Sequence, residues 1–554
     1  MTTGGRILVE CLEIQGVERL FCVPGESYLA VLDALHDSSI ETVICRQEGG
    51  AAMMAEADGK MTGRPGIAVV TRGPGATNAA CGVHVAQQDS TPMILLVGQI
   101  GRDMGGRDAF QEVDYRQFFG GMAKWVEEIR DPARIPEVIS HAFNVAMSGR
   151  PGPVVLALPE DMLSGTCDEA MPARRVEVAR PAPSKRDLAK LEKLLANASQ
   201  PLAIVGGSRW TEVAVAAMRQ WAASWDLPVA CSFRRQMLFD HLDHGYAGDV
   251  GLGINPALKD RIQRADLLLL IGARFSENPS QGFSLLGIPD PGKLLVHVHP
   301  GAEELGRIYQ PTLAINAVPE TFLEMAPSGP CIGDAGSTST DGRAVTAHAE
   351  YLDWSGTPPQ TPGDVQMGDV IEWLRDNLPD DAIITNGAGN YATWVHRFYR
   401  FRRFGTQLAP TSGSMGYGLP AAIAASLRYP QKRVVCFAGD GCFQMTGQEF
   451  ADAVQYGAAV IVILVDNGMY GTIRMHQERH YPGRVSGTAL RNPDFAALAR
   501  ASGGHGETVT RTDEFADAFE RAANSGIATI IHVKIDPEAI TPDRSLSQIR
   551  DRTG

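Results

Sequence analysis

Gly439-Asp440-Gly441 and Asp466-Asn467-Gly468 are the stretches of this chain whose residue types suit a phosphorylated ligand and its cation. Asp440 offers a carboxylate and Asn467 an amide oxygen, the donors Mg²⁺ prefers, and Mg²⁺ takes further ligands from substrate phosphates. Gly439 and Gly441 let backbone amides approach a phosphate closely. Twenty-five residues lie between Gly441 and Asn467. The elements that position them can be read from the pattern. Residues 433–438 are a short apolar run, and residues 458–465 are eight apolar residues rich in Val and Ile, so both read as buried strands. Between them, Thr446-Gly447-Gln448-Glu449 has the form of a capping box ahead of Phe450, Ala453 and Val454 at helical spacing. Strand, helix and strand in this order give parallel strands. Asp440 and Asn467 are therefore expected along one sheet edge, past the carboxyl ends of two strands, where open α/β sheets bind ligands.

Glu48 is the most informative acid elsewhere. It follows a short strand at 42–45 and precedes an Ala- and Met-rich helix at 49–61. By itself it reads as an acid placed favourably in a first helical turn. A Gly-rich loop, Arg72-Gly73-Pro74-Gly75-Ala76-Thr77-Asn78, follows the strand at 66–71. Gly387-Ala388-Gly389-Asn390-Tyr391-Ala392 is the best case for a dinucleotide fold. A nicotinamide site wants an acid about 20 residues on, and no Asp or Glu occurs between Gly387 and Gly439. Residues 397–404 interleave four Arg with four aromatics. They could stack on nucleic acid, but in an acidic chain they read as a subunit or domain contact. His297 and His299 share a strand face, and His241 and His244 lie in a loop; neither pair has further ligands nearby for a metal.

At 554 residues the chain is too long for one core, and two to four domains are expected. Hydrophobic content of 44% and charged content of 21% are ordinary for a globular enzyme. A net charge of −14 argues against nucleic acid as partner. No apolar run approaches the roughly 20 residues that span a bilayer, and Glu10 and Glu13 make the first stretch unlike a signal peptide. Nine scattered Cys without a CxxC pair point to reduced thiols and a cytoplasmic setting. Strands alternate with helices three times over. The fold class expected is α/β with three doubly wound parallel-sheet domains, at 1–165, 185–325 and 364–540. Residues 166–184 and 326–363 read as linkers, and the charged tail after Pro542 as mobile.

A Gly-Asp-Gly, a spacer of this length and a closing Asn resemble the diphosphate motif of thiamine diphosphate enzymes. Arg46-Gln47-Glu48-Gly49-Gly50-Ala51-Ala52, with Gly73 through Asn78, resembles the pyrimidine-binding domain of the same family. Within it the chain looks most like the catalytic subunit of acetolactate (acetohydroxyacid) synthase. That likeness runs over Pro24-Gly25, the loop through Asn78, Asp108-Ala109-Phe110-Gln111-Glu112-Val113-Asp114 and residues 413–420.

The resemblance implies thiamine diphosphate and Mg²⁺, with Asp440, Asn467 and the Met469 carbonyl as metal ligands. It implies catalytic roles for Glu48, Gln111 and Gly25, Glu48 by bonding the aminopyrimidine ring. The cofactor set it implies adds Asn78, Asn390, Gly413, Met415, Gly439, Gly441, Cys442 and Tyr470. Phe110, Gln111 and His476 face the substrates, which are keto acids or aldehydes. The resemblance also implies active sites at the subunit interface of a homodimer or homotetramer. The activity implied is a carboligase that joins a 2-keto acid donor to a second carbonyl compound with loss of CO₂. A benzaldehyde-lyase-like enzyme and a non-catalytic cofactor-binding homologue are the alternatives. Two departures bear on this. Where the family carries a flavin beside a stretch like Gly272-Ala273-Arg274-Phe275, the next residues here are Ser276-Glu277-Asn278-Pro279, so FAD stays an open alternative. In Arg474-Met475-His476-Gln477, His476 stands where the family has a Trp that shapes the acceptor pocket, and Asp466 replaces the first Asn of the usual Asn-Asn.

Overall fold

A computed structural model describes residues 1–168, 174–330 and 342–551. Three six-stranded sheets, parallel throughout, follow one another along the chain. The first holds β1 (Arg19–Cys22), β2 (Glu41–Ile44), β3 (Gly66–Val70), β4 (Met93–Gln99), β5 (Trp125–Glu128) and β6 (Pro153–Pro159), in the order β2-β1-β3-β4-β6-β5. The second holds β7 (Pro201–Val205), β8 (Val229–Ser232), β9 (Tyr246–Val250), β10 (Leu267–Ile271), β11 (Leu294–His299) and β12 (Leu313–Asn316), in the order β9-β8-β7-β10-β11-β12. The third holds β13 (Ile383–Asn386), β14 (Gln407–Leu408), β15 (Val434–Gly439), β16 (Val460–Asp466), β17 (His505–Val509) and β18 (Thr529–Lys534), in the order β14-β13-β15-β16-β18-β17. Central strands such as β10, Leu-Leu-Leu-Leu-Ile, are buried on both faces because helices cover both sides of the sheet. The α/β class and the three parallel sheets expected from the sequence are thus present.

Eight helices position the candidate residues or brace them: α1 (Glu48–Thr62), α2 (Pro74–Asp89), α3 (Arg343–Ser355), α4 (Tyr391–Phe398), α5 (Gly418–Arg428), α6 (Gly471–His480), α7 (Leu546–Asp551) and, between α5 and α6, the short helix Phe450–Gln455. Helix α1 is buried nearly all round, and α5 packs on it. Both are rich in Ala, so the two backbones approach closely, and one apolar cluster runs from Ala51 and Ala55 to Ala421 and Ala425. The first and third domains therefore share a core.

Four local expectations are corrected. The loop Arg72–Asn78 is mostly helix: α2 starts at Pro74, whose fixed φ suits a first helical position, and Gly73 takes φ +61 to make the turn into it. The capping box at Thr446 does not form. The Thr446 hydroxyl donates instead to the Gly416 carbonyl at 2.6 Å, and Glu449 turns inward, fully buried, to accept the Arg46 amide at 3.2 Å. A contact between domains outcompetes the local cap there. Within the expected linker 326–363 lies α3, whose Tyr351 joins the core of the middle domain. The charged tail carries α7, whose Leu546 and Ile549 pack with Met475 and Ile540, and whose Arg550 pairs with Glu478 at 2.8 Å. Parts of both expected linkers, 169–173 and 331–341, lie outside the described residues. Residues 397–404 do form a domain contact: Arg397 stacks on Trp354 at 4.5 Å and Arg402 pairs with Asp240 at 2.7 Å.

The three domains meet at one buried charge network. The Lys60 ammonium pairs with Asp89 and, at 3.1 Å, with Glu56, and all three side chains are nearly sealed from water. Tyr417 donates to Glu56 at 2.6 Å, the Thr411 amide donates to Asp89 at 2.7 Å, and Arg235 of the middle domain reaches the Asp89 carbonyl at 3.2 Å. Burial disfavours the Asp89 anion, yet Lys60 and Arg235 outweigh it and hold its pKa below the ordinary value. Removing the cation would strand two carboxylates. Lys60→Met is expected to cost about 3–5 kcal/mol, the usual scale for breaking a buried pair. Denaturant titration reads this as a lower midpoint, and an unchanged midpoint would mean that the network adds no stability.

Candidate active site

The first group of candidate residues sits on the carboxyl edge of the third sheet. Gly439 ends β15 opposite Val465 of β16, so Asp440 and Asp466-Asn467 leave the sheet side by side. Asp440 is buried at 3% exposure. Its Oδ1 accepts the Gly441 amide at 2.9 Å and its Oδ2 accepts Asn492 Nδ2 at 2.7 Å. The same Asn492 nitrogen donates to Asp466 Oδ1 at 2.7 Å, so one amide spans two carboxylates. Burial raises the Asp440 carboxyl to about 6. Asp466 is also desolvated, but hydrogen bonds from His532 Nε2, the Gly468 amide and Asn492 prevail and hold it at about 2. Asn467 closes an Asx turn by accepting the Met469 amide at 3.2 Å. A glycine keeps the neighbouring turn thin: a Cβ on Gly441 would lie 2.6 Å from the Tyr470 ring.

Further candidates surround this edge. Cys442 Sγ accepts the Tyr391 hydroxyl and the Gly416 amide, both at 3.3 Å. Gly387 faces that sulfur, and Gly439 faces the Tyr391 ring. Gly413 takes φ +67 with open space beside it, and Met415 packs half-buried on the core of the domain. Asn390 is engaged by the chain itself: its Nδ2 donates to the Ile540 carbonyl at 3.1 Å and its Oδ1 accepts Thr472 at 2.9 Å.

The second group lies at the amino ends of α1 and α2. Glu48 is 9% exposed and its Oε2 accepts Asn78 Nδ2 at 3.0 Å. Its Oε1 lies over Gly75, where a Cβ would stand 3.2 Å away, so only a glycine leaves that oxygen uncovered. Gly25 backs on Thr71, and Gly73 backs on Gln111 so tightly that a Cβ would sit 2.7 Å from the Gln111 Cβ. Gln111 itself takes φ +65, a conformation that a non-glycine residue keeps only when its surroundings fix it. Arg72 supplies part of that by donating to the Phe110 carbonyl at 3.3 Å while pairing with Glu160 at 2.9 Å. Phe110 is 74% exposed.

Among the described residues, no hydrogen bond or ion pair within the chain joins the Glu48 group to the Asp440 group. His476 is exposed on α6 and stacks parallel to His480 at 6.2 Å. Partial desolvation, then Arg479 and His480, lower its pKa, so it is neutral near pH 7. In the middle domain the strand order turns between β7 and β10, the place where such sheets open a crevice. Here Gly206, Gly207 and Gly272 pack on one another, and the Trp210 indole donates to the Gly206 carbonyl at 2.8 Å. Asn492 and His532 escape a reading of the sequence: each is a lone polar residue far along the chain, without a motif.

The comparisons with known proteins agree with this layout. Residues 2–118 match the model of the thiamine pyrophosphate enzyme N-terminal TPP binding domain, 188–325 that of the central domain and 387–533 that of the C-terminal TPP binding domain. The chain belongs to the thiamine pyrophosphate enzyme family. Its full-length relatives include the acetolactate synthase isozyme 2 large subunit of Escherichia coli K12, 30% identical over 96% of this chain and 95% of that protein. The acetolactate synthase large subunit of Corynebacterium glutamicum is 32% identical, over 94% of this chain and 84% of that protein. That of Lactococcus lactis is 31% identical, over 91% and 87%. This is a thiamine diphosphate enzyme related to acetolactate synthase, and among its described residues no helix is long and apolar enough to cross a membrane.

The residues fit such a cofactor. Asp440, Asn467 and the Met469 carbonyl offer oxygen donors only, which suits a hard cation and a diphosphate, and Gly413 has open space beside it. Asn492 orients Asp440 from behind. Outer partners of this kind typically change metal affinity by about 10–100-fold. Asn492→Ala is expected to weaken Mg²⁺-dependent retention of thiamine diphosphate on that scale, read by calorimetric titration, and equal affinities in variant and wild type would remove Asn492 from this role.

Proposed function

We propose that this protein is a thiamine diphosphate-dependent carboligase of the acetolactate synthase type. It takes a 2-keto acid, pyruvate, as donor and joins it to a second carbonyl compound with release of CO₂. The observation that carries this reading is the Glu48 pocket: a buried carboxylate held by Asn78 and left open over Gly75, with Gln111 locked against Gly73 beside it. When bound, thiamine diphosphate supplies the nucleophilic thiazolium carbon and the electron sink for decarboxylation. Asp440, Asn467 and the Met469 carbonyl would hold Mg²⁺ at its diphosphate, and Met415 would pack against the cofactor. Glu48 would carry the proton exchanged with the aminopyrimidine ring, with Asn78 fixing its carboxylate, and Gly25, Phe110 and Gln111 would face the substrates. Purified protein with Mg²⁺, thiamine diphosphate and pyruvate is expected to release CO₂ and form acetolactate. Acetaldehyde as sole product, or turnover only with aldehyde donors, would replace this reading with a decarboxylase or a benzaldehyde-lyase-like enzyme. No turnover with any of them would leave a cofactor-binding homologue.

The same reading implies a homodimer, alone or paired into a tetramer, in which Glu48 of one subunit and Asp440 of the next serve one cofactor, in keeping with the lack, among the described residues, of any hydrogen bond or ion pair between the two residue groups within one chain. Glu48→Gln keeps the size of the side chain but cannot exchange the proton, so turnover falls roughly 10²–10⁴-fold. Asp440→Ala loses the metal. Mixing the two inactive proteins is expected to restore about one quarter of wild-type activity by statistical formation of hybrid dimers. No recovery after verified subunit exchange would place both residues in one chain's site.

Acceptor choice rests on His476. A Trp at this point would give a broad apolar wall, whereas a neutral His is smaller and can hydrogen-bond. The pocket favours polar or bulkier acceptors, with weak preference for 2-ketobutyrate over pyruvate. His476→Trp is expected to raise the 2-aceto-2-hydroxybutyrate share in competition between the two keto acids, on the scale of about 1–3 kcal/mol per methylene. Identical product ratios would remove His476 from the acceptor wall.

A further inference from the structure

Arg234 is a charged residue in an unusual position. It follows β8 in the middle domain, takes φ +59, and is 4% exposed. Its Nη1 donates to the Pro410 carbonyl, its Nε is buried without a partner, and among the described residues no carboxylate lies within ion-pair distance. Its guanidinium stands 4.9 Å from the Phe233 ring. Arginine stays protonated inside proteins, and a buried charge without a counter-ion is costly. Left-handed backbone at a non-glycine residue adds to the cost.

Strong neighbouring bonds hold the segment there. Gln236 donates to the His396 carbonyl at 2.7 Å and receives Gln407 Nε2 at 2.9 Å, and Arg235 reaches the Asp89 carbonyl. The Arg234 charge acts electrostatically on Tyr391, Asp89, Cys442, Tyr417 and His396. Asp89 is already taken by Lys60 and Thr411. His396 is forced neutral, at about 3, by burial and by Arg234 itself. Tyr391 and Cys442 form the wall against which Gly387, Gly416 and Gly439 turn. Pro410 begins the segment that carries Gly413 and Met415. Arg234 is thus tied to the carbonyl three residues before Gly413, and it stacks on Phe233, whose ring meets that of His396 at 6.2 Å on α4, the helix that begins at Tyr391.

We propose that Arg234 is the buried counter-charge for the anionic diphosphate held at these turns, supplied by the middle domain across the domain boundary. This rests on the cofactor reading above. Its charge needs no direct contact to act, because low surrounding dielectric lets it reach through the Tyr391–Cys442 wall. Such a residue lowers the stability of the empty protein and strengthens binding of the loaded one. A residue that merely props the domains together would do neither.

The test compares wild type with Arg234→Met, which keeps much of the volume, and Arg234→Lys, which keeps the charge. Calorimetric titration with saturating Mg²⁺ measures thiamine diphosphate, thiamine and inorganic pyrophosphate on each full-length protein, and thermal unfolding is followed without ligand. Arg234→Met is expected to weaken thiamine diphosphate and pyrophosphate about tenfold or more. Thiamine affinity stays the same, and the midpoint of the unloaded protein is equal or higher. Arg234→Lys retains most of the affinity. Equal affinities in Arg234→Met and wild type overturn the proposal. So does an equal loss for thiamine and thiamine diphosphate together with a lower midpoint, which marks a structural prop. If wild type binds no thiamine diphosphate, the cofactor reading itself falls and this inference with it.

Discussion

One ammonium group, that of Lys60, decides how the three domains sit. It is enclosed with Glu56 and Asp89, and the partners of those two carboxylates come from the third domain and the middle domain. Arg235 adds a second buried cation beside Asp89, so the two carboxylates face two cations. Hydroxyls of Tyr417, Thr91 and Thr411 and the Thr411 amide add hydrogen bonds by donating to the two carboxylates. The consequence for the site is geometric. Helix α1 begins at Glu48 and carries Glu56 and Lys60 farther along, while α2 carries Asn78 near its start and ends at Asp89. The two helices are tied at one end by the network and meet at the other through the Glu48–Asn78 hydrogen bond. The close fit at Gly73 and Gly75 persists because both helices are held at both ends.

The same sheet pattern is used three times with different results. In the third domain the carboxyl edge is open and acidic, and Asn492 and His532 keep Asp440 and Asp466 from repelling each other. In the middle domain Gly206, Gly207 and Gly272 pack on one another at the equivalent edge, beside the Trp210 indole. That domain contributes contacts instead: Arg235 to the network, Gln236 to β14, and Asp240 to Arg402. Fold repeats; chemistry follows the side chains placed at the edge.

Much of this is legible in the sequence, for physical reasons. Buried parallel strands such as β10 and β16 are continuous apolar runs, and both stand out. Strands at or near a sheet margin do not: β5 reads Trp-Val-Glu-Glu and β9 reads Tyr-Ala-Gly-Asp-Val, so neither has the pattern that marks a buried strand. The turns at Asp440 and Asn467 are visible because glycine and an acid at a fixed spacing are local signals. Asn492 is not, because its importance lies in reaching two carboxylates that are distant in sequence. The capping box at Thr446 fails for the same reason in reverse. A local pattern is overruled by Gly416 and Arg46, which only the fold brings near. The tail misleads because Leu546 and Ile549 are sparse among charges, and their partner Met475 lies on another helix.

The union of α1 with α5 has a consequence for how the chain is made. Glu56 leaves the ribosome 361 residues ahead of its partner Tyr417, and Asp89 leaves 322 residues ahead of Thr411. Until then the Ala-rich face of α1 has no α5 to cover it, and the charges of the network remain in water. The first two domains can acquire their sheets during synthesis, but the core between first and third closes only near the end. An interval with an uncovered apolar helix face is therefore built into every round of translation.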